Sequence, residues 1–469
     1  MSSSMSTEAS ATSTPPTPGS PTTRELMSRL WRSTLPMTLG IMGLLGFNLV
    51  DAAFVSHLGT APLAAQSFTF PLTFLIIGVQ VGMGIAIAAI VSRTLGAEDE
   101  ARARRLGGVV LLGSGVLMAL LMLLLWIIRV PAFELLGANA AEMKLIEVYW
   151  GPSLIASWLG AMAYVLYSLF RAHGDTRLPG EMMLLTSIFN LVLDPLLIFG
   201  AGPLPGFGLA GAAWATVLSF GAGLAITAFK LSRRDWMEYR GLWAEWQASR
   251  RQLAGIAIPA ILCQMMPALS AMLVTAIVAG LGQTEVAAWG IASRLETFSL
   301  IVVLALTMSL PPWLGRCYGA GRWQEIRRLM NLAARVVVIW QLVLGIIAAV
   351  LATPLAYVLV GSDEVSAALA VLLPWMLPSY SFLGICMLVV SAANALGWPL
   401  RATALSFVRL FICFMPAVWL GAHLDGLRGV AIGSAIGNLL AGVVAWRVYR
   451  QALGNRGKSV RDHAYIATT

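Results

Sequence analysis

Charge is what this chain most conspicuously lacks. Only 11% of its residues are charged, against 58% hydrophobic, and mean hydropathy is +0.80. A soluble chain of 469 residues would need far more charge to cover its surface. Cysteine and histidine are scarce too. Cys263, Cys317, Cys386 and Cys413 stand at no metal-ligand spacing, which fits small apolar packing rather than a metal centre. His57, His173 and His423 fall at helix ends and His463 in the tail, equally dispersed. A phosphate-cradling loop is missing as well. The nearest string, running from Gly454 to Ser459, has the wrong glycine spacing and no strand before it. No soluble stretch is long enough for an ATPase, so pumping must draw on an ion gradient. No hydrolytic Ser/His or His/Glu/His constellation is visible, so neither an enzyme nor an organic cofactor is expected.

What the chain has is apolar runs. Twelve stretches, near 34–57, 62–91, 107–129, 147–170, 182–201, 208–230, 253–281, 286–313, 330–351, 366–391, 402–421 and 427–448, are about 18 residues or longer. Each is long enough to cross a hydrocarbon core of roughly 30 Å as a helix, and none shows the period-two alternation of a transmembrane strand. The fold class expected is all-α, with twelve transmembrane helices. All but five of the 31 Lys and Arg fall on one side of such a layout. Arg129, Lys144 and Arg428 lie on the other side, and Arg294 and Arg409 inside spans. The excess marks the cytoplasmic face and puts both termini inside. The net charge of +9 is therefore a topology signal and implies no nucleic-acid partner. Residues 1–23, rich in Ser, Thr and Pro, read as a disordered leader without the apolar core of a signal peptide. Residues 231–252 read as a cytoplasmic connector, with Trp236, Trp243 and Trp246 at headgroup depth. Residues 451–469 form a cytoplasmic tail.

The chain also repeats itself. Residues 30–177 and 253–400 align at an offset of 223 without a gap. Pro36 meets Pro259, Arg93 meets Arg316, Gly96-Ala97 meets Gly319-Ala320, and Gly174 meets Gly397. After a short deletion the register becomes 218, and Gly211 falls on Gly429. Six spans per copy make the repeats parallel, the plan of a two-lobed transporter with its pathway between the lobes. The lobes are expected at 24–230 and 253–450.

Residues that break the repeat are free to carry function. Three acids fall inside spans, Asp51, Asp194 and Glu296, where a charge costs at least a few kcal/mol and marks function by default. Asp51 lies about 25 Å along the first span and Asp194 about 18 Å along the fifth, at roughly 1.5 Å per residue, depths close enough to share one site. Asn48 stands three residues before Asp51 and Asn190 four before Asp194, on the same helix faces. Two repelling carboxylates in a low dielectric suit capture of a proton or a sodium ion. The matching second-half positions are apolar. Val274 answers Asp51, and Ala417 or Ile412 answers Asp194, so the cation site belongs to the first lobe. Pro36 is a kink point in the first helix, a hinge or, because Pro259 repeats it, part of the shared scaffold. Glu296 fits two roles, a structural ion pair with Arg409 or a substrate contact. Arg294 points away from it, and Gln66, Gln80 and Gln264 are polar candidates for a cavity or for helix–helix hydrogen bonds.

Pro36 through Gly59 (PMTLGIMGLLGFNLVDAAFVSHLG), FRAHGDTRLPGEMMLLTSIFNLVLDPLLIFG and GLAGAAWATVLSFG resemble the MATE (multidrug and toxic compound extrusion) family. The match runs from about residue 24 to 450, and Asp51 with Asn190 and Asp194 is similar to its DinF-like branch. That resemblance implies an antiporter of the bacterial or archaeal inner membrane. It would export cationic or amphipathic organic compounds against inward H⁺ or Na⁺ flow, with Pro36 as the bend point and Thr216 in the polar cluster. Its partners would be small-molecule drugs and the lipid bilayer, and a monomer is expected. The alternative is a lipid-linked oligosaccharide flippase of the same superfamily, which tends to need a strongly basic cavity. A passive channel is a second rival, told apart by flux without exchange.

Overall fold

The computed structural model describes residues 22–201, 204–359 and 362–466. Most of the expected leader, residues 1–21, and the last residues of the tail, 467–469, lie outside them, as does the side chain of His463. The described residues are overwhelmingly helical. In the first half come α1 (Thr23–Ser56), α2 (Thr60–Gly96), α3 (Glu100–Ile127), the short α4 (Arg129–Leu135), α5 (Ala140–Ala172), α6 (Arg177–Ile198) and α7 (Leu209–Ser232). In the second come α8 (Leu242–Ala279), α9 (Gln283–Ser299), α10 (Ile301–Gly319), α11 (Trp323–Val350), α12 (Ala352–Leu359), α13 (Asp363–Ala395), α14 (Pro399–Phe407) and α15 (Met415–Ile466). A π-helical segment, Val408–Phe414, joins α14 to α15. Among the described residues the strands are confined to a short hairpin, Gly200–Ala201 against Leu204–Pro205.

Local sequence sets the helix starts. Thr22 and Glu25 close a capping box on α1, Asn139 and Glu142 close another on α5, and Asp99 caps α3. Each satisfies backbone N–H groups that a helix start leaves without partners. Eleven described helices are long and apolar enough to span a membrane. The last, Pro399–Gly454, makes two crossings, because Asp425 and Gly426 leave helical geometry and fold it back on itself. Twelve crossings result, with α9 and α10 together making the eighth. The connector differs from its expected form. Residues 242–252 are the first turns of α8, continuous with the seventh span. Trp236 is half-buried against the first lobe, stacked on His173 at 4.0 Å and edge-on to Phe170, while Trp243 is exposed.

Two bundles follow. Helix α1 packs on α6, and α5 on α2 and α7, whereas α13 gathers α11 and α15. The bundles meet where α2 touches α8 and α10, and where α1 touches α10. The closest approach uses residues that both repeats share. A Cβ on Gly96 would overlap the Arg316 carbonyl, and one on Gly319 would overlap the Arg93 carbonyl. The Arg316 side chain reaches the first lobe, where its Nε donates to the Ala172 carbonyl at 3.1 Å beside Gly174. The Arg93 guanidinium lies against Gly397 of the second lobe. Each contact is the image of the other under the offset of 223. The lobes thus meet at the C-terminal ends of α2 and α10. Thr34 and Ser309 add a hydroxyl–hydroxyl contact of 3.1 Å across the same seam.

Candidate functional site

Four helices of the first lobe, together with α2, bring the polar residues together. Asp51 lies near the C-terminal end of α1, where Gln66 of α2 donates from Nε2 to its Oδ2 at 3.1 Å. The same Nε2 lies 3.4 Å from the Tyr149 hydroxyl of α5. Asp51 Oδ1 is buried and takes no hydrogen bond. On α6, Asp194 is 0% exposed and Asn190 2%. With its amide nitrogen facing the carboxylate, Asn190 donates to Asp194 Oδ2 at 2.6 Å and Oδ1 at 3.1 Å. Its oxygen then accepts from Thr216 Oγ1 of α7 at 3.2 Å. The i, i+4 spacing on α6 makes this clamp local, while Thr216 reaches it from another helix.

Asp194 lies within the field of Asp51, and Tyr149 within the field of both carboxylates. A buried carboxylate oxygen without a donor is costly. Asp51 Oδ1 is such an oxygen, and Gln66, Tyr149 and the Asn190–Asp194 pair are the polar groups of the same cluster. No group of three or more His, Cys, Asp or Glu side chains is placed to hold a metal ion among the described residues.

Pro36 lies inside α1, on the N-terminal side of this cluster. Having no N–H, it leaves the Arg32 carbonyl without a helical partner and softens the turn. Gly180 of α6 packs onto Pro36, since a Cβ there would overlap the Pro36 carbonyl. Helix α1 is thus gripped by α6 at its proline and tied to polar side chains near its C-terminal end.

The other expected residues are dispersed. Asn48 is exposed and makes no side-chain hydrogen bond among the described residues. Gln264 is exposed at the seam beside Gly78, and Arg294 is exposed, apart from Glu296. In the second lobe Tyr380 donates its hydroxyl hydrogen to Glu296 Oε2 at 3.1 Å. Arg409 lies within reach of the Glu296 charge, but no direct ion pair joins them. Tyr149 and Tyr380 escape a sequence reading, because a tyrosine in an apolar span looks like packing. A pocket of about 570 Å³ lies away from both clusters, between the start of the seventh span and the Gly397–Arg401 turn.

Known proteins carry the same plan. The MatE family model matches residues 36–196 and 259–420, one match per repeat. A protein of Shewanella oneidensis named as an FAD transporter is 35% identical over 89% of this chain and 93% of its own. A probable multidrug resistance protein of Bacillus subtilis, YoeA, is 22% identical over 86% of this chain and 90% of its own. The crystal structure of the Vibrio cholerae MATE transporter VcmN in the bent form superposes with a TM-score of 0.89. It is 44% identical and covers 92% of this chain and 98% of that one. With a family match over both repeats and a fold shared nearly end to end, this chain belongs to the MatE family and is a multi-pass membrane transporter.

Proposed function

We propose that the protein is a secondary antiporter that moves amphipathic organic compounds outward in exchange for H⁺ or Na⁺. The observation that carries this reading is the pair Asp51 and Asp194 in the first lobe, with Asp51 Oδ1 left without a partner. An ion entering from the outer side neutralises the pair and removes its repulsion. That frees the outer part of α1 to bend at Pro36, narrowing the first-lobe cavity and expelling cargo. Release of the ion on the side that carries the termini, which the arginine excess marks as cytoplasmic, resets the cycle. A relative solved in a form described as bent supports a conformational step of this kind.

Outside the spans, burial pushes His173 down to about 4, and the nearby Arg316 charge adds to this against the hydrogen bond to the Leu169 carbonyl. His173 therefore stays neutral across the physiological range.

The test is dye-cation transport in proteoliposomes under separately imposed pH and sodium gradients. A response to one gradient alone names the ion. Asp51→Asn and Asp194→Asn proteins, shown to be membrane-inserted, should lose the gradient response. Transport by both at the parent rate would overturn the reading. A second cargo class has support of its own. The 35% identical relative is named as an FAD transporter, and the spans of the second lobe carry two arginines that form no ion pair among the described residues.

A further inference from the structure

The repeat fails a second time, and here the backbone fails with it. The eighth span breaks at Leu300 between α9 and α10, while its first-lobe counterpart, α2, runs unbroken through Ile77. The Ser299 carbonyl at the break accepts from Trp340 Nε1 at 3.2 Å and Gln341 Nε2 at 2.9 Å. Their counterparts in the first lobe are Leu117 and Met118, which carry no such donors. The eleventh span is π-helical from Val408 to Phe414. In register 218 that segment begins with the images of Asn190 and its following turn, up to Ile412 opposite Asp194. Interrupted transmembrane helices and π-turns are the backbone forms that gather around ligand sites.

The side chains at these two irregularities are also unshared. Glu296 lies one turn before the break and Arg409 inside the π-turn, with Tyr380 of α13 bonded to Glu296. Their images are Thr73, Leu191 and Ser157. Arg409 makes no side-chain hydrogen bond or ion pair among the described residues, and its Nε is buried without an acceptor. Glu296 and Arg409 are thus opposite charges at membrane depth, near enough to feel each other and yet unjoined. A buried pair held apart forfeits the attraction that would offset desolvation. Stapling the bundle would call for a closed pair, so the open geometry points to a third group between them.

We propose that Arg409, with Glu296 and Tyr380, forms the cargo site of the second lobe and takes the phosphate of an amphipathic dinucleotide. A planar guanidinium is suited to bidentate phosphate binding. Glu296, fixed through Oε2 by Tyr380, offers its other oxygen to an N–H of the cargo's ring system. Cargo and coupling ion then occupy opposite lobes. The inference rests on the antiporter reading for its direction of transport, but binding can be measured without any gradient.

The full-length protein in lipid nanodiscs would be titrated with FAD, followed by flavin fluorescence, and with riboflavin as a phosphate-free probe. Arg409→Gln should weaken FAD binding by about tenfold to a hundredfold, the range for a lost charge-assisted hydrogen bond. Riboflavin binding should stay within about twofold, and Arg409→Lys should recover part of the loss. Arg428→Gln removes the same charge at an exposed outer position and should change neither titration. Three results would overturn the proposal: no FAD binding by the parent, FAD binding by Arg409→Gln at parent affinity, or equal loss for both flavins. Asp51→Asn keeps FAD binding if the two sites are separate. A parent that binds FAD through Arg409 yet ignores both ion gradients sinks the antiporter reading and leaves this one standing.

Discussion

The two lobes descend from one sequence plan and have diverged in opposite ways. The first lobe keeps regular helices and changes side chains, placing Asp51, Asn190 and Asp194 where the second holds Val274 and apolar or sulfhydryl residues. The second lobe changes its backbone, with a break at Leu300 and a π-turn from Val408. What neither has changed is the seam, where Gly96 meets Arg316 and Gly319 meets Arg93. The comparison separates three jobs. Shared glycines and arginines hold the lobes together, while on the reading proposed above the first-lobe acids take up the ion and the irregular helices of the second lobe face the cargo.

The largest effect should come from the first-lobe acids. Asp194→Asn removes a buried charge and makes the neutral state permanent, so gradient-driven transport should fall by about a hundredfold, the upper range of a coupling free energy. Proteoliposome flux under an imposed pH or sodium jump checks it, and FAD or dye binding should persist. The paired prolines come next. Pro36→Ala restores an N–H to the Arg32 carbonyl and stiffens a turn that proline weakens by about 3 kcal/mol. Transport should slow about tenfold with ion affinity unchanged. Pro259→Ala in the second lobe should do much less. Equal slowing by both would make the proline a shared scaffold feature and remove the hinge from the first lobe.

The seam should answer symmetrically. Gly96→Leu and Gly319→Leu each force a side chain into the opposite helix's backbone, and overpacking of this kind costs about 1–3 kcal/mol. Thermal melting in detergent should fall by the same amount for both, and tolerance of one alone would show that the lobes no longer meet as mirror images. The smallest effect is Thr216→Val. It removes one hydrogen bond from Asn190, worth about 1 kcal/mol, and should weaken ion affinity about fivefold while leaving FAD binding untouched.

Much of this was legible in the sequence because the membrane restricts the answer. Twelve spans, the two-lobed plan and the acids of the first lobe follow from apolar length, the offset of 223 and the rarity of buried charge. Asn190 and Asp194 could be paired because one helical turn separates them. Asn48 could not be placed by the same rule, since spacing gives a shared face but not which side chains on it meet, and Asn48 is exposed without a side-chain hydrogen bond among the described residues. Thr216 was reachable only through family resemblance, being 26 residues from Asn190 and on another helix. Tyr149 was silent because a tyrosine in an apolar span reads as packing.

Sequence alone determined the solvent, the count of spans, the duplication and the residues that stand outside it. Those are properties of local composition and spacing, which burial in lipid turns directly into structure. Tertiary structure decided the meetings across the chain: Gln66 on Asp51, Tyr380 on Glu296, Arg409 near but not joined to Glu296, and each lobe's arginine on the other lobe's glycine turn. It also decided the break at Leu300, which no proline or glycine announces. There the freed Ser299 carbonyl finds its donors on α11, and only the packed bundle can satisfy a backbone group that its own helix has abandoned.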